Sequence, residues 1–315
     1  MAESTSYDLT IIGGGPAGYT AALYAARASL STLVLEQGMP GGQIATSDMV
    51  ENYPGIPHIS GAELGDKMRE HAEEAGSVTE YTMVNELTRR EDGTFSIETD
   101  DGVFTSPAVI VATGATPRPV GFEGEEAFKG RGISYCATCD GMFYRGKDVF
   151  VIGGGNSACE EALYLSHIAK SVTMVVRRDQ FRASRGMVQR LTSQPNVTVR
   201  FSTSITAVSG GSLLNEISFR DNVTGDVHSE SYPEGSFGIF VFTGNDPVTD
   251  LVKPYVELGA GQAVVTDENM ATRTPGLFCA GDIRVKRLRQ VITAASDGAI
   301  AATAAYHYLE DLNSR

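Results

Sequence analysis

The sequence predicts an α/β protein with two Rossmann-like, three-layer (ββα) nucleotide-binding domains, and three observations carry the prediction. A glycine turn, Gly13-Gly14-Gly15-Pro16-Ala17-Gly18, follows an apolar run at 9–12 and opens an Ala-rich stretch. A second turn, Gly153-Gly154-Gly155-Asn156-Ser157-Ala158, follows Asp148-Val149-Phe150-Val151-Ile152 in the same way. Segments 79–88, 94–99, 103–111 and 197–243 alternate like antiparallel strands, as a further β layer requires.

Bulk properties narrow the class. At 315 residues the chain is long for one hydrophobic core, so two domains are expected. Apolar content of 42% and charge of 20% are ordinary, and 35 glycines are an excess. A net charge of -14 opposes a nucleic-acid or anionic-membrane partner. No apolar run reaches the roughly 18 residues of a membrane span. The segment Met1–Tyr7 lacks a basic and then apolar leader, so a cytoplasmic protein is expected. Four cysteines are too few for a disulfide scaffold in a chain of this size. In a reducing compartment a close pair such as Cys136 and Cys139 is more often catalytic or metal-binding.

The first unit reads as strand 9–12, helix Ala17 to Ala28 and strand Thr32 to Glu36. Gly13 permits the tight turn, Gly15 lets backbone approach a pyrophosphate, and Gly18 lets helix pack on strand. The helix N-terminus, opened by Pro16, offers amides from Ala17 onward to phosphate. Glu36, 23 residues beyond Gly13, stands where a ribose hydroxyl is accepted. Met39 to Gln43 is too glycine-rich for regular structure and is either a surface turn or a loop against a flat ring system. Ala62 to Ala75 reads as an amphipathic helix, Asp101-Gly102 as a hairpin turn, and Val109 to Gly114 as a buried strand ending in small residues.

The second unit has helix Asn156 to Ala169 and strand Ser171 to Val176. The position matching Glu36 is Val176, and Arg177, Arg178 and Arg182 follow. A carboxylate there would repel a ribose 2′-phosphate, whereas guanidinium groups pair with it, so the second site reads as selective for NADPH over NADH. Lys286, Arg287 and Arg289 read as a solvated basic face. Pro117 with Pro119, and Thr243 to Pro247, are the candidate crossings between domains. Gly276 to Asp282 is a buried strand, a small-residue turn and an acid, either a turn acid or a ligand for a cofactor hydroxyl. Gln290 to Leu309 is a long Ala-rich helix.

A Cys-x-x-Cys is a redox disulfide, half a zinc site or a pair of buried thiols. Cys159 and Cys279 lie inside apolar elements, and the five histidines show no ligand-like pairing, so no metal is expected. A disulfide accepts two electrons, as two nucleotide sites could supply. Asp140 reads as the acid/base for the thiol proton, with capping of a helix from Gly141 left open.

These motifs, with Gly-Gly-Gln at 41–43, Ala-Thr-Gly at 112–114, Cys-Ala-Thr-Cys-Asp at 136–140, Arg-Arg-x-x-x-Arg at 177–182, Gly-Asp at 281–282 and Arg-Gln at 289–290, closely resemble the low-molecular-weight, bacterial-type thioredoxin reductases. The resemblance implies an FAD-binding domain from both chain ends, 1–117 and 246–315. It implies an NADPH-binding domain at 118–245 that carries the redox disulfide, rotation of one domain against the other, and a homodimer. For FAD it implies Gly13, Gly15, Pro16, Ala17, Gly18, Glu36, Gly42, Gln43, Asn52, Thr113, Gly114, Asp282, Arg289, Gln290 and Val291. For NADPH it implies Gly153, Gly155, Asn156, Ser157, Arg177, Arg178 and Arg182. Cys139 would face the flavin, and Cys136 would attack the disulfide of thioredoxin or a thioredoxin-like protein. Val176 stands where many members carry His. A flavin-dependent dithiol oxidase, or a reductase of another thioredoxin-like protein, is the alternative. A hydroperoxide reductase flavoprotein needs a preceding thiol domain, for which strand-like sequence near residue 7 leaves no room, and a ferredoxin-fed enzyme would lack the second glycine turn and Arg pair.

Overall fold

Leu9–Ile12, Thr32–Glu36 and Ala108–Val111 are buried at every residue, so they read as unbroken apolar runs rather than as alternation. In the computed structural model, which describes residues 5–47 and 49–314, they are the middle of a five-stranded parallel sheet. Its order is Leu277–Cys279, Ala108–Val111, Leu9–Ile12, Thr32–Glu36, Val78–Tyr81. The chain divides into two compact units, one made of the chain to Thr116 and from Asn245 onward, the other Pro117–Gly244.

In the first unit, successive strand residues serve opposite faces. Leu9, Ile11, Val34 and Ile110 pack with Ala21 and Ala25 of helix Pro16–Arg27 and with Ala301 and Ala305 of helix Val291–Asn313. Ile12, Leu33, Leu35, Val109 and Val111 pack instead with Leu87, Phe95 and Ile97. Those three belong to an antiparallel ribbon of Val84–Arg89, Phe95–Thr99 and Gly102–Ser106. Burying each such side chain contributes about 1.5–3 kcal/mol, so layer packing rather than strand propensity holds these short strands.

The second unit repeats the plan. Ile133–Ser134, Phe237–Val241, Asp148–Ile152, Ser171–Val175 and Val197–Arg200 form a parallel sheet in that order. Val149, Val151, Val172 and Met174 meet Ala158, Cys159, Ala162 and Leu165 of helix Asn156–Ser166. Phe150, Ile152, Val175 and Ile239 meet Ile205, Ile217 and Phe219 of the antiparallel ribbon Thr203–Gly210, Leu214–Asp221 and Val227–Ser231. Helix, parallel sheet and ribbon make three layers in each unit, the expected α/β, ββα architecture.

Several boundaries differ from expectation. The run 79–88 is two strands in two sheets. Val78–Tyr81 runs parallel to Thr32–Glu36, the Thr82 amide then donates to the Glu36 carbonyl (3.0 Å), and Val84 starts the ribbon. The run 103–111 is also two strands, broken at Pro107, which has no amide to give a ladder. Within 197–243, Val197–Arg200 and Phe237–Val241 are parallel strands, not members of the antiparallel ribbon. Gly42–Thr46 is a turn of 3₁₀ helix, and the helix from Asn156 stops at Ser166 rather than Ala169. The last helix runs to Asn313, and Gln290 is its N-cap in a reciprocal capping box with Thr293.

The glycine turns divide into positions the fold needs and positions it does not. At Gly13 φ is +104°, and a Cβ would stand 2.6 Å from the Ala112 carbonyl oxygen. At Gly18 it would stand 1.8 Å from the Gly13 carbonyl oxygen, whereas at Gly15 its nearest neighbour would be 3.9 Å away. Gly18→Ala is therefore expected to destabilise the first unit by about 1–3 kcal/mol, the usual cost of overpacking. Gly15→Ala should leave urea unfolding within about 0.5 kcal/mol of wild type, as substitutions away from packing constraints do. Equal stability of the two variants would refute this division.

Candidate functional site

In the first unit the sequence-predicted residues gather beyond the carboxyl ends of the parallel strands, where open α/β sheets bind ligands. The Gly41 amide donates to the Gly14 carbonyl (2.8 Å), which lays Gly41 and Gly42 against the turn. Glu36 receives the amides of Gly14 and of Gly38, the latter at 2.7 Å, and is buried. Helix Pro16–Arg27 starts at Gly15 with no side chain capping its first amides. Open space beside Gly15 and uncapped amides are what a pyrophosphate requires. Thr113 donates to the Val248 carbonyl (2.7 Å), and Gly114 takes a positive φ of 71° in open space. Asn52 donates to the Gln290 side-chain oxygen (2.9 Å), tying loop to helix cap. Gln43 is exposed on its 3₁₀ turn, and Val291 opens the last helix.

The turn after Leu277–Cys279 carries charges that the sequence under-reported. Asp297, buried on the last helix, accepts from the Gly281 amide (3.1 Å), Arg284 (3.1 Å) and Lys286 (2.8 Å). Lys286 was expected on a solvated face, but its side chain is 8% exposed because Asp297 supplies the partner that burial demands. The signal was present as one acid among the buried residues Ala294, Asp297, Gly298 and Ala301 of the helix. Asp282 Oδ1 and Arg289 Nε are buried without a hydrogen-bond partner. Burial raises the Asp282 carboxyl above its usual range, against the opposing pull of Lys286 and Arg289. An unmatched buried acceptor beside an unmatched buried donor suits a polar ligand with hydroxyl and phosphate groups.

In the second unit, Gly153 repeats Gly13, with φ +145° and a Cβ position 2.6 Å from the Phe242 carbonyl oxygen and the Ala158 Cβ. Gly155 repeats Gly15, with no atom within 4 Å, and helix Asn156–Ser166 begins there without a side-chain cap. Val176 is buried and packs over Gly154. Arg177, Arg178 and Arg182 are exposed on the loop that follows. That loop folds back on the glycine turn through the Arg182 amide to the Gly154 carbonyl (2.7 Å) and the Ser184 amide to Asn156 Oδ1 (2.9 Å). Asn156 thus anchors the basic loop, and the neighbouring Ser157 is exposed.

Cys136 and Cys139 form a disulfide. Cys136 is also the N-cap of the short helix Ala137–Asp140, its sulfur accepting from the Cys139 amide (3.2 Å) and lying 3.5 Å from Thr138 Oγ1. An amide donor at sulfur favours the thiolate form of Cys136 once the bond opens. Asp140 precedes the turn Gly141–Tyr144 but makes no capping hydrogen bond to it; its carboxylate accepts instead from the Ser134 hydroxyl (2.6 Å). Sequence reasoning missed Ser134, because nothing in the spacing links a strand serine to an acid six residues on. Burial first, then Asp140, push the Tyr144 phenol up to about 12.

Cys159 and Cys279 are buried free thiols, pushed up chiefly by burial to about 11 and about 12. Each is therefore only roughly one part in a thousand thiolate at pH 8, or less, and has no access to reagent. Iodoacetamide at pH 8 is expected to label two cysteines of the reduced native protein, 136 and 139, by peptide mapping. Labelling of 159 or 279 should need denaturant, and rapid native labelling of either would contradict these burials.

Residues 7–298 match the sequence profile of the pyridine nucleotide-disulphide oxidoreductases. A thioredoxin reductase of Treponema pallidum is 43% identical over 98% of this chain and 99% of its own length. One of Bacillus subtilis is 40% identical over 99% of this chain and 98% of its own. The crystal structure of a Streptococcus pyogenes thioredoxin reductase superposes with a TM-score of 0.90 at 42% identity, covering 98% of this chain and 100% of that one. With a profile match along nearly the whole chain, a glycine turn in each of two units and a Cys-x-x-Cys disulfide in the second, this chain belongs to the pyridine nucleotide-disulphide oxidoreductase family.

Proposed function

We propose that the protein reduces the disulfide of thioredoxin, or of a thioredoxin-like protein, with NADPH, through FAD and the Cys136–Cys139 disulfide. The observation that carries the reading is the disulfide with its adjacent acid, in the same unit as a glycine turn followed by three exposed arginines. The similarity to thioredoxin reductases along the full chain supports the choice of partner. On this reading the unit from the two chain ends holds FAD and unit Pro117–Gly244 holds NADPH. A homodimer in the cytoplasm is part of the same proposal.

FAD would lie against the amides after Gly15, Glu36 and Asp282, with Arg289 and the Asn52–Gln290 pair beside it. When bound it would supply the two-electron exchange between nicotinamide hydride and disulfide. NADPH would lie at Gly153 and Gly155, its 2′-phosphate on Arg177, Arg178 and Arg182.

The protein's own groups do the sulfur chemistry. Reduction of the disulfide takes two electrons and two protons to give two thiols. The Cys136 thiolate, held by the Cys139 amide, attacks one sulfur of the partner disulfide. A Cys136–partner bond forms, the partner's S–S bond breaks, and its other sulfur leaves as thiolate. Cys139 then attacks Cys136, the enzyme disulfide re-forms, and the partner departs as a dithiol. Asp140 carries the proton that these steps release and consume.

Anaerobic addition of NADPH is expected to bleach the flavin absorbance of the holoprotein, and added thioredoxin to restore it. Cys139→Ser should keep the bleaching and reduce thioredoxin turnover below about 1%, since the dithiol couple is gone. Normal turnover in that variant would exclude the disulfide route. Arg178→Ala should raise KM for NADPH about ten-fold, as loss of one charge-assisted hydrogen bond does. KM for NADH should stay within two-fold, and equal use of both nucleotides by wild type would exclude the arginine assignment.

A further inference from the structure

Ser134 ends the short strand Ile133–Ser134, which pairs in parallel with Phe237–Val241 at the edge of the second unit's sheet, and it is 4% exposed. Its hydroxyl oxygen accepts from the Cys136 amide at 3.1 Å. Its single proton has two acceptors in reach, Asp140 Oδ2 at 2.6 Å and the Cys136 carbonyl at 3.2 Å. The carboxylate is the shorter contact and the stronger acceptor, so the proton goes to Asp140. One buried hydroxyl therefore joins the backbone at the start of the disulfide turn to the carboxylate at its end.

Other neighbours pack around the turn through rings and apolar atoms. Tyr144 is a neutral phenol at physiological pH, packed on Phe240 and over Gly238, where a Cβ would stand 2.1 Å from its ring. Helix Asn156–Ser166 reaches the turn with apolar atoms, Leu165 and the Tyr164 ring lying 3.1 and 3.4 Å from a Cβ placed on Gly141.

We propose that Ser134 is a positioning residue that acts through Asp140, helping to hold the carboxylate in an orientation from which it exchanges a proton with the disulfide's sulfurs. The inference rests on the thiol–disulfide chemistry proposed above. In each cycle a partner S–S bond is reduced to two thiols while the Cys136–Cys139 bond re-forms, and the protons lost by the enzyme thiols go to the partner's sulfurs by way of Asp140. Loss of this 2.6 Å hydrogen bond would loosen that orientation, slowing proton exchange without weakening partner binding.

The test is a double-mutant cycle on the holoenzyme with Ser134→Ala, Asp140→Asn and both together, read as single-turnover re-oxidation of the reduced enzyme so that slow variants stay measurable. Thioredoxin and a small aromatic disulfide, 5,5′-dithiobis(2-nitrobenzoate), serve in parallel as oxidants. Ser134→Ala is expected to slow re-oxidation about ten-fold, the lower end for one hydrogen bond to a charged group, with KM for thioredoxin within two-fold. Ser134→Thr, which keeps the hydroxyl, should recover most of the rate. In the Asp140→Asn background Ser134→Ala should cost less than two-fold more. A full ten-fold loss in that background, or a wild-type rate for Ser134→Ala, would overturn the inference. If Ser134→Ala fails to fold, Ser134→Val, the isostere of the threonine variant without its hydroxyl, replaces it in the same cycle with the same two outcomes. Wild-type enzyme that turns over the aromatic disulfide but not thioredoxin would refute the proposed partner and leave the cycle readable.

Discussion

Both glycine turns of this chain depend on one steric constraint, met twice. At Gly13 and Gly153 the backbone leaves a parallel strand with positive φ and lies so close to a neighbouring carbonyl that no Cβ fits. This lets strand become helix within three residues, so the first helical amides emerge at the sheet's carboxyl edge with no side chain capping them. The next glycines but one, 15 and 155, answer no such demand and face open space. Packing thus explains the first glycine of each turn, and in the proposed function room for a ligand explains the other.

The two turns are alike in backbone and opposite in charge. Beyond the first lies Glu36, buried and bonded to two turn amides; beyond the second lies Val176, with arginines on the exposed loop after it. A buried carboxylate accepts a hydroxyl and rejects a phosphate, while exposed guanidiniums do the reverse. In the proposed function the same backbone device would therefore yield two selectivities from a few side chains at the tip of each second strand. The Asp297 cluster serves the first unit in a further way. Because Asp297 takes the Gly281 amide as well as two cations, it fixes the turn on which Asp282 stands.

How much was legible follows from the range of each interaction. The βαβ units were readable because strand, turn and helix are contiguous, and burial on both faces makes a strand an apolar run. The splitting of 79–88 and 103–111 between sheets was not, because alternation reports which faces a strand has but not which sheet it joins. A threonine amide reaching Glu36 and a proline without an amide decided those crossings. Lys286 looked solvated because its partner, Asp297, is eleven residues on and becomes a neighbour only when the last helix packs. Ser134 was invisible for the same reason at shorter range, since its meeting with Asp140 needs the disulfide turn to curl back over the sheet edge.

That turn shows how little structure the sulfur chemistry needs when each group has two tasks. Cys136 is the helix cap and, in the proposed mechanism, the nucleophile: the amide that its sulfur satisfies in the folded protein would stabilise its negative charge when the disulfide opens. Asp140 closes the same turn and takes a hydrogen bond from the sheet without capping the helix that follows. A four-residue helix has too little packing to hold these atoms by itself. Its ends are fixed instead through Ser134 to a strand whose partner residues, Ile239 and Phe240, are core, so the rigidity of the reactive turn is borrowed from the parallel sheet.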